Sequence, residues 1–189
     1  MPLENQPRPA EMRDFTGDPS GHRSNAAPVS LYTAEERERR DSTVWTLVQG
    51  VLAPIQFIIF LVSLSLVVRY FATGEGAFAA DVSIIVKTLT LYTIMVTGSI
   101  WEKVVFGKWL FAPAFFWEDV FSMLVLALHT LYLVMLLGGI GSVEARMGVA
   151  LAGYGAYIIN AGQFLWKLRV ARLEAAKQSD SHGALAVAS

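Results

Sequence analysis

Four long apolar stretches follow one another along this chain, separated by short polar segments and preceded by a polar, proline-rich one. The apolar runs cover about 45–68, 82–100, 120–137 and 147–165. Each holds roughly 18–24 residues, and at ~1.5 Å per residue a helix of that length spans ~27–36 Å, one hydrocarbon core. A buried helix of a soluble domain rarely needs such length. The pattern predicts an all-α integral membrane protein whose body is a bundle of four transmembrane helices.

The flanks read differently. Residues 1–30 hold five of the seven prolines (Pro2, Pro7, Pro9, Pro19, Pro28) and no apolar periodicity. Such a segment buries too little surface to offset the entropy of ordering, so a disordered extension is expected. It has no apolar core of a cleavable signal, which leaves targeting to the first span. Residues 33–43 predict a short charged helix at the membrane surface, opened by a capping box between Thr33 and Glu36. The membrane domain is expected over 31–173, with a flexible tail at 174–189.

Basic residues orient the bundle. Arg37, Arg39 and Arg40 precede the first span, Lys103 and Lys108 lie between the second and third, and Lys167, Arg169, Arg172 and Lys177 follow the fourth. The opposite loops offer only Arg69 and Arg146. The positive-inside rule then puts both termini and the middle loop on the cytoplasmic side. All five tryptophans (Trp45, Trp101, Trp109, Trp117, Trp166) fall near that same face. They fit either an interfacial anchoring belt or an aromatic surface for a flat ligand. Along the fourth span Gly148, Ala152, Ala156 and Asn160 recur every four residues, a small-residue face suited to close helix packing.

Composition narrows the function. Hydrophobic residues make up 54% of the chain and charged residues 16%, and the net charge is −1. No basic stripe with interleaved aromatics points to nucleic acid. There is no cysteine, which excludes disulfides, thiolate metal sites, iron–sulfur clusters and a cysteine nucleophile.

Polar side chains inside a membrane are costly, so each is a candidate for function. They are Gln49, Gln56, Lys87, Glu102, Glu118, Asp119, His129, Asn160 and Gln163. Lys87 lies near the start of its span and is expected to snorkel outward. His129 sits mid-span, where packing, a proton relay and axial metal ligation are all open to it. His22 and His182 lie in the tails, so one chain cannot build a bis-histidine haem site. Glu102 ends the second span, and Glu118 and Asp119 open the third, where acids also complement the helix dipole. Glu118 and His129, eleven residues apart, share one helical face about ~16 Å apart. That is too far for contact and suits one large ligand spanning both.

Three blocks carry a resemblance: 40–50 (Arg-Asp-Ser-Thr-Val-Trp-Thr-Leu-Val-Gln-Gly), 91–103 (Leu-Tyr-Thr-Ile-Met-Val-Thr-Gly-Ser-Ile-Trp-Glu-Lys) and 110–121 (Leu-Phe-Ala-Pro-Ala-Phe-Phe-Trp-Glu-Asp-Val-Phe). With His129-Thr130-Leu131-Tyr132, they make residues 31–170 closely resemble the 3-vinyl (formerly 2-vinyl) bacteriochlorophyllide hydratase family of photosynthetic bacteria. The resemblance implies a hydro-lyase of bacteriochlorophyll a synthesis in the bacterial inner, intracytoplasmic photosynthetic membrane. It would add water to the 3-vinyl group of chlorophyllide a or the related bacteriochlorin, giving a 3-(1-hydroxyethyl) product. No cofactor is required on that reading, and Mg²⁺ arrives only as part of the chlorophyllide. Its partners are that substrate, water and membrane lipid. Association with a second copy or with other bacteriochlorophyll-synthesis enzymes is left open.

Site roles come from the residues themselves. Hydration of a conjugated vinyl group needs a proton on the terminal carbon, a positioned water and surroundings that tolerate a cation. Glu118 or Glu102 is expected as proton donor, with Asp119 or Glu102 as its ionised partner or water-activating base, since paired carboxylates divide acid and base roles. Trp101, Trp117, Phe115 and Phe116 are expected on the macrocycle face, and His129 as axial ligand to the substrate's Mg²⁺ or as donor to a ring substituent. The competing class is a non-catalytic pigment-binding or assembly protein. A four-helix transporter is disfavoured because no span has a central break; Pro54 lies in the first half of its helix.

Overall fold

The computed structural model describes residues 31–187, with the side chains of 174, 175 and 177–187 outside the description. The extension expected to be disordered, 1–30, lies outside the described residues. Five helices make up the rest: α1 (Ala34–Ser42), α2 (Val44–Thr73), α3 (Ala77–Phe106), α4 (Phe116–Gly138) and α5 (Val143–Val187). Among the described residues three of them, α2, α3 and α4, are long and apolar enough to cross a membrane. The apolar stretch of α5 is diluted by glycines and by Asn160 and Gln163. Its backbone stays helical through Val187, across the stretch read from sequence as a tail.

The bundle is two hairpins, α2 against α3 and α4 against α5, with α1 laid on α3. The α2–α3 turn closes through Gly74, whose φ of 74° is open to glycine at little cost and whose N–H reaches Tyr70 O at 2.8 Å. This turn and the α4–α5 turn share one end of the bundle. At the opposite end lie α1, the 107–115 connection and the middle of α5.

The predicted capping box opens α1: Glu36 N–H donates to Thr33 Oγ1 (3.2 Å) and Thr33 N–H to Glu36 Oε2 (2.8 Å). The helix is docked on α3, with Arg39 Nε donating to Val105 O at 2.9 Å. Just before it, Tyr32 stacks on Phe106 with Arg40 over its ring.

The core separates by height. At the turn end Phe60, Val67, Ile84, Tyr132, Met147 and Tyr154 pack together. In the middle Leu91, Val125 and Ala156 form a smaller apolar layer. Near α1 the cluster is aromatic: Tyr32 and Phe115 with Trp101, Phe106 and Phe164 around them.

Two expectations are corrected, and one feature was not foreseen. Lys87 does not snorkel; it is fully buried, its Nζ 3.8 Å from the centre of the Tyr157 ring and 5.8 Å from that of Phe60. It shares the inward face of α3 with Ala80, Ile84 and Leu91, so its stem has no lipid-facing path to the surface. The Gln56 amide, oriented to suit its neighbours, accepts from Lys87 Nζ at 3.2 Å and donates to Thr90 O. The small-residue face of α5 is not one contact surface either. Gly148 and Ala152 are exposed, whereas Met147, Ala150, Gly153 and Tyr154 are buried. The close approach is at Gly153, where an added Cβ would stand 3.0 Å from the His129 ring. Finally, the turn end holds a polar clamp built on Asp81, which sequence reading passed over. Arg146 pairs with its carboxylate at 3.1 Å, and the Tyr132 hydroxyl donates to the same group. The signal was available: Asp81 directly precedes a span, and Arg146 is one of only two cations near that end.

Candidate functional site

The inward face of α4 reads Glu118, Asp119, Ser122, Val125, His129, Tyr132, all buried at helical spacing. Its N-terminal turn meets the last turns of α3, which carry Trp101 and Glu102. Two of the three predicted acids come together here. Glu102 and Asp119, each about 5% exposed, are brought side by side, each accepting a hydrogen bond from one of two consecutive backbone amides. Two buried carboxyl groups side by side are an arrangement that can divide acid and base roles between them.

The connection between α3 and α4 secures this pair. Phe111 N–H donates to Asp119 Oδ2 at 2.7 Å and the next amide, Ala112 N–H, to Glu102 Oε2 at 3.2 Å. Two consecutive amides point to neighbouring acids because Phe111 adopts a left-handed backbone with φ 58°, which costs a non-glycine residue ~1–2 kcal/mol. The charge-assisted bond to Asp119 offsets that cost.

Glu118 has another partner. Its Oε2 lies 2.7 Å from Lys167 Nζ, and the same ammonium donates to the Ala114 carbonyl and sits 4.9 Å from the Phe115 ring centre. The lysine comes from α5, 49 residues away, a pairing invisible in local sequence. A cleft of about 480 Å³ opens beside this ion pair, lined by Leu31, Glu118, Gly162, Gln163, Trp166 and Lys167 among others.

The predicted aromatic face divides. Trp101 and Phe115 meet edge to face at 5.7 Å, with Phe106 and Phe164 completing the cluster. Trp101 Nε1 donates to Thr46 Oγ1 at 2.9 Å, which fixes the indole. Trp117 and Phe116 instead turn outward, 66% and 45% exposed, as do Trp109 and Trp166. Of the five tryptophans, Trp101 enters the cluster, Trp45 is half-buried, and Trp109, Trp117 and Trp166 are exposed.

His129 lies three turns deeper, 1% exposed. Its Nδ1 bonds to Val125 O at 2.8 Å; a carbonyl only accepts, so Nδ1 carries the hydrogen and Nε2 is a bare acceptor. No protein donor reaches that Nε2 among the described residues. The Val125–Leu91–Ala156 layer separates it from the acids.

Comparison with known proteins places the chain among relatives of one kind. A 2-vinyl bacteriochlorophyllide hydratase from Cereibacter sphaeroides is 66% identical over 152 residues, 80% of this chain and 94% of the relative. One from Rhodobacter capsulatus is 65% identical over 154 residues, 82% of this chain and 90% of the relative. No solved structure matches the chain. The family model for 2-vinyl bacteriochlorophyllide hydratase matches residues 32–170, from before α1 into α5 and including the acid and aromatic end, and the chain belongs to that family.

Proposed function

We propose that the chain is a multi-pass membrane hydratase that converts the vinyl group of chlorophyllide a or vinyl bacteriochlorophyllide a to a 1-hydroxyethyl group. The observation that carries the chemistry is the buried acid pair Glu102–Asp119, secured by two backbone amides beside a buried aromatic cluster. Glu102 gives its proton to the terminal vinyl carbon, leaving a cation on the inner carbon that the conjugated ring delocalises. Water adds to that carbon, and the oxonium returns one proton to the pair. The sum is one vinyl group and one water giving one hydroxyethyl group, with the carboxyls restored. Trp101 and Phe115 present π-faces suited to developing positive charge. Glu118, neutralised by Lys167, lines the cleft and adjoins Asp119, so the pair stands one residue from the cleft wall.

The reaction is redox-neutral and calls for no resident cofactor; Mg²⁺ belongs to the pigment. His129, closed in against Gly153 and beneath the apolar layer, is better suited to helix packing than to axial ligation.

α5 is the fourth span on this reading. Antiparallel to α4, it stays with it from Gly153 at His129, through Asn160 at Ser122, to Lys167 at Glu118. If α4 crosses the bilayer, α5 returns through the same thickness. The excess of basic residues at the α1 end supports cytoplasmic termini, in the bacterial inner photosynthetic membrane.

Incubating membranes that contain the protein with chlorophyllide a tests the activity. The expected product carries the mass of one added water, with its long-wavelength band shifted to the blue as vinyl conjugation is lost. Stoichiometric pigment that co-purifies unchanged would instead mark a pigment-binding protein.

A further inference from the structure

Two amide side chains on successive turns of α5 face the acid end of the bundle, each with an oxygen that no donor of the described residues reaches. Asn160 is 9% exposed; its Nδ2 donates to Ser122 Oγ at 2.8 Å, and its Oδ1 is buried without a partner. Turning the amide over does not help, because the Ser122 hydroxyl serves either atom and the other is then stranded. Gln163 Oε1 is likewise buried and unpartnered, while its side chain lines the cleft with Glu118 and Lys167. Both amides lie level with Asp119 and Ser122 on the facing helix. Beneath them the layer of Leu91, Val125 and Ala156 closes the space toward the bilayer centre.

An unmet acceptor inside a membrane protein is costly, and two in one small region suggest a ligand that brings hydrogens. Water is the smallest such ligand, and it needs two to four polar partners to be held. We propose that Asn160 and Gln163 bind the water that attacks the pigment, an assignment that rests on the hydratase reading above. Amides suit this task better than carboxylates. They orient water by accepting its hydrogens without competing for the proton of the Glu102–Asp119 pair. An amide oxygen is also a poorer nucleophile than a carboxylate, which would itself capture the pigment cation as an ester. As the C–O bond forms, the water hydrogens grow more acidic and their bonds to the amides strengthen. The oxonium then loses one proton to the carboxylate pair, closing the balance.

The test compares the unaltered protein with Asn160→Leu and Gln163→Leu in D₂O. With protonation intact and water capture impaired, the cation reverts by losing a proton from its new methyl group. Recovered vinyl pigment should therefore carry deuterium at the terminal carbon, while hydration slows about 10²-fold at a KM within about threefold. Gln163→Leu, at a partly exposed position, guards against a fold lost in Asn160→Leu. Unchanged hydration in both variants, or slow hydration with no deuterium in recovered pigment, overturns the assignment alone. If the unaltered protein hydrates nothing, the hydratase reading falls and takes the assignment with it.

Discussion

Lys167 Nζ stands 2.7 Å from Glu118 Oε2, and this contact ties the C-terminal half of α5 to the first turn of α4. It changes which acid is suited to give a proton. Glu118 is bonded to an ammonium, whereas Glu102 and Asp119 are two buried acids side by side whose donors are backbone amides.

The two acids should therefore separate on substitution. Glu102→Gln is expected to lower turnover by ~10²–10⁴-fold, the usual contribution of a general acid, while pigment still binds. Glu118→Gln keeps a neutral bond to Lys167 and should stay within about tenfold of the unaltered rate. Initial rates with chlorophyllide a, alongside absorbance titration of pigment binding, decide the matter. The reverse order of effects would make Glu118 the donor.

Removing the lysine should act mainly on stability. Lys167→Met leaves Glu118, 6% exposed, without its counter-ion, and the loss is put at ~1–3 kcal/mol because the lysine itself is a quarter exposed. Thermal unfolding in detergent measures it. The double change Lys167→Met with Glu118→Gln should recover much of the loss, since no buried charge is then stranded.

Lys87 invites the opposite experiment. An ammonium held by the Tyr157 ring and the Gln56 amide, with no carboxylate among the described residues bonded to it, is a costly group to keep in a core. Lys87→Met preserves the stem and is expected to be neutral or stabilising in the same melting assay. Lys87→Ala opens a cavity and should cost ~2–5 kcal/mol. A large loss in Lys87→Met would mean the charge itself holds α2, α3 and α5 together.

Glycine positions on α5 should respond to packing rather than to spacing. Gly153→Ala drives a methyl group to 3.0 Å from the enclosed His129 ring and is expected to destabilise by ~1–3 kcal/mol. Gly148→Ala meets nothing within 4 Å and should gain up to ~1 kcal/mol from helix propensity. Equal losses at the two sites would restore the regular four-residue face as the contact surface.

By itself the sequence determined the helices, their order and the family. Apolar runs one bilayer long, a capping box at Thr33 and glycines at helix ends are local signals, and local backbone physics obeys them. The buried stripe of α4 from Glu118 to His129 was equally legible, because it depends only on helical periodicity within one element. Tertiary structure alone decided partners. Lys167 reaches Glu118 from 49 residues away, Asp81 meets Arg146 across 65, and Tyr32 joins the aromatic cluster only because α1 folds back on α3. Rotation of each helix about its axis was also beyond the sequence. A lipid-facing apolar residue and a buried one look alike in a membrane span, so Lys87 could be assigned an outward path and Trp117 an inward one. Which way each turns depends on the neighbouring helices, and through them on the whole bundle.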